Sequence, residues 1–387
     1  MRAVAPLVDA LKDPEAKVRA AAAQSLGSFK EHVKLVTAPV LERSKDDDAG
    51  VRREVALALG NLGKGEPGVE QALKSLEQDK DSVVRMNASL GLALLGGKDA
   101  SSIPLLLAGL KSDHEVTSRT AGKALRPIAK EMPDKVLPGL KEVIAGGNKV
   151  SLENALGVMR AMKPQAAALV PDLAALYDKT DPESRADLVV AIQNLDPKGD
   201  YGVPILFKAF KDSDHRVRRE AILGVLAYRD KIGGFVDPLI KCLKDSDQEN
   251  QLLALRMLRS AAANAPQAIG PVINLTKHRD LTVRSFAVGT LGSFRPITDE
   301  MLKALQKALS DQELTVRRSA VDVLRRLSLA ESEKVFPVMV EAFKTEKDPG
   351  LKQMISNALK GMADRAGKPP EPEAHTAAPR PEAGKPN

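Results

Sequence analysis

The chain has 387 residues, 43% hydrophobic and 28% charged, with no Trp, three Tyr and eight Phe, so any core it builds is aliphatic. A formal charge of +7 and a pI near 9.2, spread over that length, is too dilute a signal to assign a polyanionic partner. The single cysteine, Cys242, excludes an intrachain disulfide and fits a reducing, cytoplasmic setting, and no run approaches the ~18 consecutive apolar residues of a membrane span.

The opening "MRAVAPLVDALKD" lacks the apolar region and cleavage site of a signal peptide. It begins inside a repeat, which is compatible with a missing upstream segment. From there one pattern recurs: "DPEAKVRAAAAQSLG" (13 to 27), "DDDAGVRREVALALG" (46 to 60), "DKDSVVRMNASLGLA" (79 to 93), "DSDHRVRREAILGVL" (212 to 226), "HRDLTVRSFAVGTLG" (278 to 292) and "DQELTVRRSAVDVLR" (311 to 325). Stacked, they align Arg19, Arg52, Arg85, Arg218, Arg284 and Arg317 at intervals of 33 or its multiples, with a one-residue register slip between Arg85 and Arg218. Weaker copies place the same slot at Ser118, Leu152, Arg185, Gln251 and Lys352, for about eleven units. Three and seven residues after the slot stand apolar residues such as Ala22 and Leu26, the stripe of an amphipathic helix, and Gly27, Gly60 and Gly292 fall where that helix would be capped.

Between these helices runs a proline series: Pro6, Pro39, Pro104, Pro138, Pro171, Pro204, Pro238, Pro271 and Pro337. Each opens an apolar run such as "PLIKCLKDSD". Proline is tolerated in a first turn and kinks a helix interior, so most first helices should start there. "PDKVLPGLKEVI" and "PQAAALVPDLAAL" carry an earlier Pro and should start sooner. Each unit is therefore helix, turn, helix, with no strand signal. One such pair cannot bury its own apolar face, so the pairs must stack into an all-α solenoid over residues 1 to 363. From 364 to 387 the composition is Pro, Ala, Glu and Lys, with four basic residues against four acidic ones, and this tail is expected to be disordered.

Pro in the first helix, Asp in the turn, Val-Arg, and then Ala-x-x-x-Leu-Gly resemble the HEAT and HEAT-like (phycobilisome-lyase type) repeat family over about residues 1 to 363. The 33-residue period favours the short HEAT-like subclass over units of ~40 to 47. The resemblance implies an α-α superhelix with Asp and Arg ladders between neighbouring units. It also implies a concave face, lined by second helices, that binds another protein.

The slot arginines share a helical phase with the apolar stripe and so start on the inward face. Six residues before five of them stands Asp13, Asp46, Asp79, Asp212 or Asp311, with His278 before the sixth. A turn Asp is both a helix cap and a partner for Arg. The structural ladder is therefore expected to consist of Asp13, Arg19, Asp46, Arg52, Asp79, Arg85, Asp212, Arg218, Arg284, Asp311 and Arg317. Arg53, Arg219 and Arg318 lie about 100° further round the helix and are expected to be exposed. With Arg216 and Arg325 they are the candidates to meet a partner. Cys242 has the spacing of a buried small hydrophobe.

Catalytic chemistry finds no support in the residues. The five histidines are scattered without zinc-site spacing, and the one His-Glu pair, His114-Glu115, falls short of the repeated pairs of the HEAT-like di-iron hydroxylases. No bilin-lyase, glycosylase or phosphate-loop pattern is present, so no cofactor or metal is expected. The expected function is a non-catalytic interaction scaffold for a protein partner, with nucleic-acid or other polyanion binding through exposed basic residues as the alternative.

Overall fold

The computed structural model describes residues 4 to 96, 100 to 146, 148 to 327 and 329 to 366. Among these every regular element is helical. The chain divides into two compact units, Met1–Asp230 and Lys231–Asn387.

The first unit holds seven helix pairs. Their second helices are Ala16–Leu26, Ala49–Leu62, Ser82–Gly96, Glu115–Glu131, Lys149–Met162, Pro182–Leu195 and His215–Gly224. The second unit holds four pairs, with second helices Gln248–Ser260, Leu281–Leu291, Leu314–Leu324 and Pro349–Ala366. Within each unit successive second helices pack on one another and on their own first helices. The repeated Ala and Leu positions form the core: Ala22, Val55, Ala88, Ala121, Ala155 and Leu188 are almost wholly buried in the first unit, as are Ala254, Ala287 and Ala320 in the second. Burial of these aliphatic side chains drives the stacking, because no single pair can cover its own face.

Proline behaves in two ways. Pro104 and Pro171 lie in the first turn of their helices, whereas Pro39, Pro138 and Pro337 lie inside helices that begin earlier. Helix Pro133–Gly146 thus starts at the earlier of its two prolines, while in "PQAAALVPDLAAL" a short 3-10 turn, Gln165–Leu169, precedes helix Val170–Leu176.

The glycine expectation needs correction. Gly60 is not a cap, since its helix continues to Leu62. Gly27 and Gly292 do follow their helices, but in right-handed conformation, so a left-handed turn is not what selects them. Space is what selects them. A Cβ on Gly27 would stand 2.9 Å from Ala58 Cα, one on Gly60 2.4 Å from Gly91 Cα, and one on Gly292 2.8 Å from Val323 Cγ2. Gly27 and Gly60 mark where one second helix crosses the next at backbone distance, and Gly292 makes room for the Val323 side chain of the next.

Cys242 is buried at 4% exposure. The last helix runs through Ala366, and the tail expected from 364 lies, from 367 onward, outside the described residues. Among the described residues no helix is long and apolar enough to cross a membrane.

Candidate interaction surface

The turn before each second helix uses two acidic residues with separate tasks. In "DDD" the second helix begins after Asp48, whose Oδ1 accepts the Val51 N–H. Asp81, Asp181, Asp214, Asp247 and Asp280 cap their helices in the same way, four residues before the slot. Capping therefore falls to this residue, not to the Asp six before the slot. That earlier Asp accepts the N–H of the capping residue, as Asp46 does from Asp48 at 3.1 Å and Asp79 from Asp81 at 2.9 Å. Its remaining acceptor capacity is turned toward the preceding repeat.

The slot arginine fills that capacity. Arg19 Nε and Nη2 donate to the two oxygens of Asp46, each at 2.8 Å. Arg52 does the same to Asp79 at 2.7 and 3.0 Å, Arg185 to Asp212 at 2.7 and 2.9 Å, and in the second unit Arg284 to Asp311 at 2.9 and 3.2 Å. In all four the acid lies 27 residues ahead of the arginine, in the next repeat. The free Nη1 turns back to the carbonyls of its own turn, as Arg52 does to Asp46 and Asp47 at 2.7 and 2.9 Å. One guanidinium thus ties its own turn to its neighbour's through a bidentate charged pair, the strong form of hydrogen bond. Arg52 and Arg284 are only 7% and 8% exposed, so the pair is largely withdrawn from water.

Asp13 serves its own turn, accepting the Glu15 N–H. Arg85 holds the Asp79 and Lys80 carbonyls, and the residue 27 ahead of it is Ser112. Arg218 holds the Asp212 and Ser213 carbonyls. Arg317 reaches Glu346, 29 residues ahead, at 2.9 and 3.1 Å.

The arginine bonds hold the Asp46 and Asp79 carboxyls below the usual aspartate range. At Asp212 burial works the other way, and Arg185, the Asp214 N–H and the Tyr177 hydroxyl outweigh it. Between the third and fourth repeats a different linkage stands in: Thr117 donates to Asn87 at 2.6 Å, while Asn87 donates back to the Arg53 carbonyl of the second repeat at 3.0 Å and His114 Nε2 lies 3.3 Å from buried Glu54 of that repeat. His114 is thus a contact between repeats.

The arginines expected to be exposed do not form one basic stripe. Arg53 is a correction: its guanidinium lies on Asp81 of the next repeat at 3.0 and 2.5 Å, half-buried, and this holds the Asp81 carboxyl at about 2. Arg216 is exposed but folds back on Asp214 at 2.9 Å, holding that carboxyl at about 2 as well. Arg325 pairs with Asp322 at 2.8 Å. Arg219 is half-buried and Arg318 exposed. Between Arg53 and Arg219 the same repeat position holds Met86, Arg119, Glu153 and Ala186.

One residue further along, two residues beyond each slot, the second-helix face changes character from repeat to repeat. In the first unit the position holds Ala21, Glu54, Asn87, Thr120, Asn154, Asp187 and Glu220; in the second it holds Leu253, Phe286, Ser319 and Met354. Asp187, Glu220 and nearby Glu153 are partly buried, and burial pushes all three carboxyls above their usual range. Among the described residues none of the three is in a hydrogen bond or ion pair. Nearby cations, Arg160 for Asp187, Arg219 for Glu220 and Lys149 for Glu153, offset that burial only in part.

Family models for HEAT repeats match residues 37–126 and 236–325, and a single HEAT repeat matches residues 3–33. No curated protein sequence matches the chain. Among solved structures it is similar to a chain in a homology model of the full-length AP-3 complex in an intermediate open conformation, with TM-score 0.60 and 16% identity over 93% of this chain and 69% of that one. It is also similar to importin beta, crystallised in an ammonium sulfate condition, with TM-score 0.56 and 14% identity over 95% of this chain and 56% of that one. At these identities the likeness is one of fold. With matched segments covering more than half of its length, and with the two-helix units stacked as the period requires, the chain belongs to the HEAT repeat family.

Proposed function

We propose that this chain is a non-catalytic scaffold that binds a protein partner on the concave face lined by its second helices. One observation carries the reading. At a single repeat position the second helices carry Asn154, Asp187 and Glu220 in the first unit and, separately, Phe286 and Ser319 in the second, while the inner positions stay apolar. A face that mixes acid, amide, hydroxyl and aromatic groups suits the mixed chemistry of a polypeptide. A uniform polyanion would meet the half-buried carboxylates of Asp187 and Glu220, and three of the arginines that could attract it, Arg53, Arg216 and Arg325, are already held by aspartates. Both points weigh against the nucleic-acid alternative. The likeness to a chain of the AP-3 complex, a protein that works as part of an assembly, lends support.

The test has two arms. A fluorescent non-specific duplex titrated at low salt is expected not to bind, because few phosphate contacts are on offer; tight binding that falls steeply with salt would replace this reading with the polyanion one. In the second arm, proteins co-purifying with the chain are cross-linked and mapped by mass spectrometry. Cross-links should fall on second-helix residues such as Lys123, and the double variant D187K/E220K should weaken capture. Cross-links confined to first helices would sink the assignment of the face.

A further inference from the structure

On the second-helix face of the second unit, helices Gln248–Ser260, Leu281–Leu291 and Leu314–Leu324 leave an open notch of about 260 Å³. Gly289 keeps it open, since a Cβ there would meet nothing within 4 Å. Ser285 and Ser319 stand in its wall with their hydroxyls 2.8 Å apart. One hydroxyl must donate to the other, which leaves the second O–H free to point at a ligand. Phe286 adds an apolar wall.

Two guanidiniums line the same space. Arg259, near the end of its helix, is exposed and makes no side-chain hydrogen bond or ion pair among the described residues. Arg326 donates Nε to the Asp322 carbonyl at 2.7 Å, and its terminal nitrogens remain. Asp322 is the one acid in the lining, and Arg325 Nε meets its carboxylate at 2.8 Å. The lining thus carries two arginines and one aspartate, and with Asp322 paired by Arg325 from outside the lining, two positive charges are left in excess.

We infer that this notch binds a phosphate monoester borne on a polypeptide, that is, a phosphorylated serine or threonine side chain of the partner. The excess of two positive charges matches the roughly −1.5 to −2 of a phosphoryl group at neutral pH. A carboxylate would leave one arginine uncompensated. Planar guanidinium forks and a hydroxyl donor are the groups that satisfy several phosphate oxygens together. The phosphate site rests on the notch alone; its assignment to a polypeptide rests on the scaffold reading above.

Calorimetry on the full chain with three probes tests this: a short phosphoserine peptide of otherwise neutral residues, its unphosphorylated counterpart, and inorganic phosphate. The phosphopeptide should bind, inorganic phosphate should bind about tenfold more weakly, and the unphosphorylated peptide should show no binding up to roughly 10 mM. Arg259→Gln and Arg326→Gln should each weaken phosphopeptide binding about tenfold or more. Gly289→Val, whose side chain has room to enter the notch without disturbing the core, should abolish binding at an unchanged or higher melting temperature, whereas Arg279→Gln, outside the notch, should leave it intact. Phosphopeptide binding that survives Gly289→Val or Arg259→Gln would overturn the site. Inorganic phosphate binding as tightly as the peptide would overturn the polypeptide source. If no phosphate probe binds while a protein is still captured in a manner sensitive to D187K/E220K, the notch is refuted and the scaffold reading stands.

Discussion

The two units share an interior and differ on the face. Arg185 with Asp212 in the first and Arg284 with Asp311 in the second make the same bidentate contact across the same 27 residues. Two positions after those arginines, Asp187 in the first unit corresponds to Phe286 in the second, and two after Arg218 and Arg317, one repeat further along, Glu220 corresponds to Ser319. The inner residues hold the repeat in register, and the outer ones are free to specialise. The first unit offers half-buried carboxylates, the second an arginine-lined notch. Five substitutions test that division of labour.

The largest effect is expected inside. Arg284→Ala removes both the charged pair to Asp311 and the hold on the His278 and Arg279 carbonyls, leaving a carboxylate and a turn without their donors. Breaking such a pair costs about 2 to 4 kcal/mol when little of it is exposed. Arg318→Ala, on the exposed side of the neighbouring repeat, should stay within about 0.5 kcal/mol. Urea unfolding of both variants measures the difference, and equal losses would show that the slot arginine is no more structural than its surface counterpart.

Much of this interior was legible before the structure. A 33-residue period with Ala and Leu at fixed offsets specifies two-helix repeats, and the slot arginine's phase with that stripe specifies its inward direction. The arginine's partner was harder to read, because the Asp six residues earlier is the nearest candidate and in fact belongs to the arginine of the preceding repeat. A signal for this existed in the slots that have drifted. Where the slot holds Leu152, the residue 27 ahead is Lys179, and where it holds Gln251, that residue is His278, so acid and arginine are lost together. Glu346 escaped this pattern because a register slip puts it 29 residues from Arg317. The notch could not be read at all. Arg259, Ser285, Gly289 and Ser319 occupy different offsets on three helices, and only the stacking brings them to one place.

The glycines give the next contrast. Gly60→Ala would push a methyl group to 2.4 Å from the Gly91 Cα, where backbone, not a mobile side-chain end, must yield. Overpacking of that kind costs about 1 to 3 kcal/mol. Gly289→Ala, within helix Leu281–Leu291 and facing open space, should instead gain up to about 1 kcal/mol from helix propensity. Opposite signs in melting temperature are the expected result. A loss at both positions would mean that the notch is tighter than its geometry indicates.

The smallest effect lies in the first unit's pH dependence, where two sets of carboxylates pull in opposite directions. Asp46, Asp79 and Asp81 titrate lower folded than unfolded, so their contribution is complete above the ordinary aspartate range. It is lost as pH falls, for Asp81 from 3.8 toward about 2. Asp187 and Glu220 titrate higher folded than unfolded, so ionising them works against the fold, and this cost appears as pH rises through and above the ordinary carboxylate range. Asp187→Asn should therefore raise stability at neutral pH by no more than about 0.5 kcal/mol and leave it unchanged at acid pH, where the native carboxyl is already neutral. Melting curves from acid to neutral pH follow both. A neutral-pH loss on Asp187→Asn would show that the carboxylate is satisfied within the fold. A gain would show that it is held at a cost, as expected of a group kept for a partner's cation.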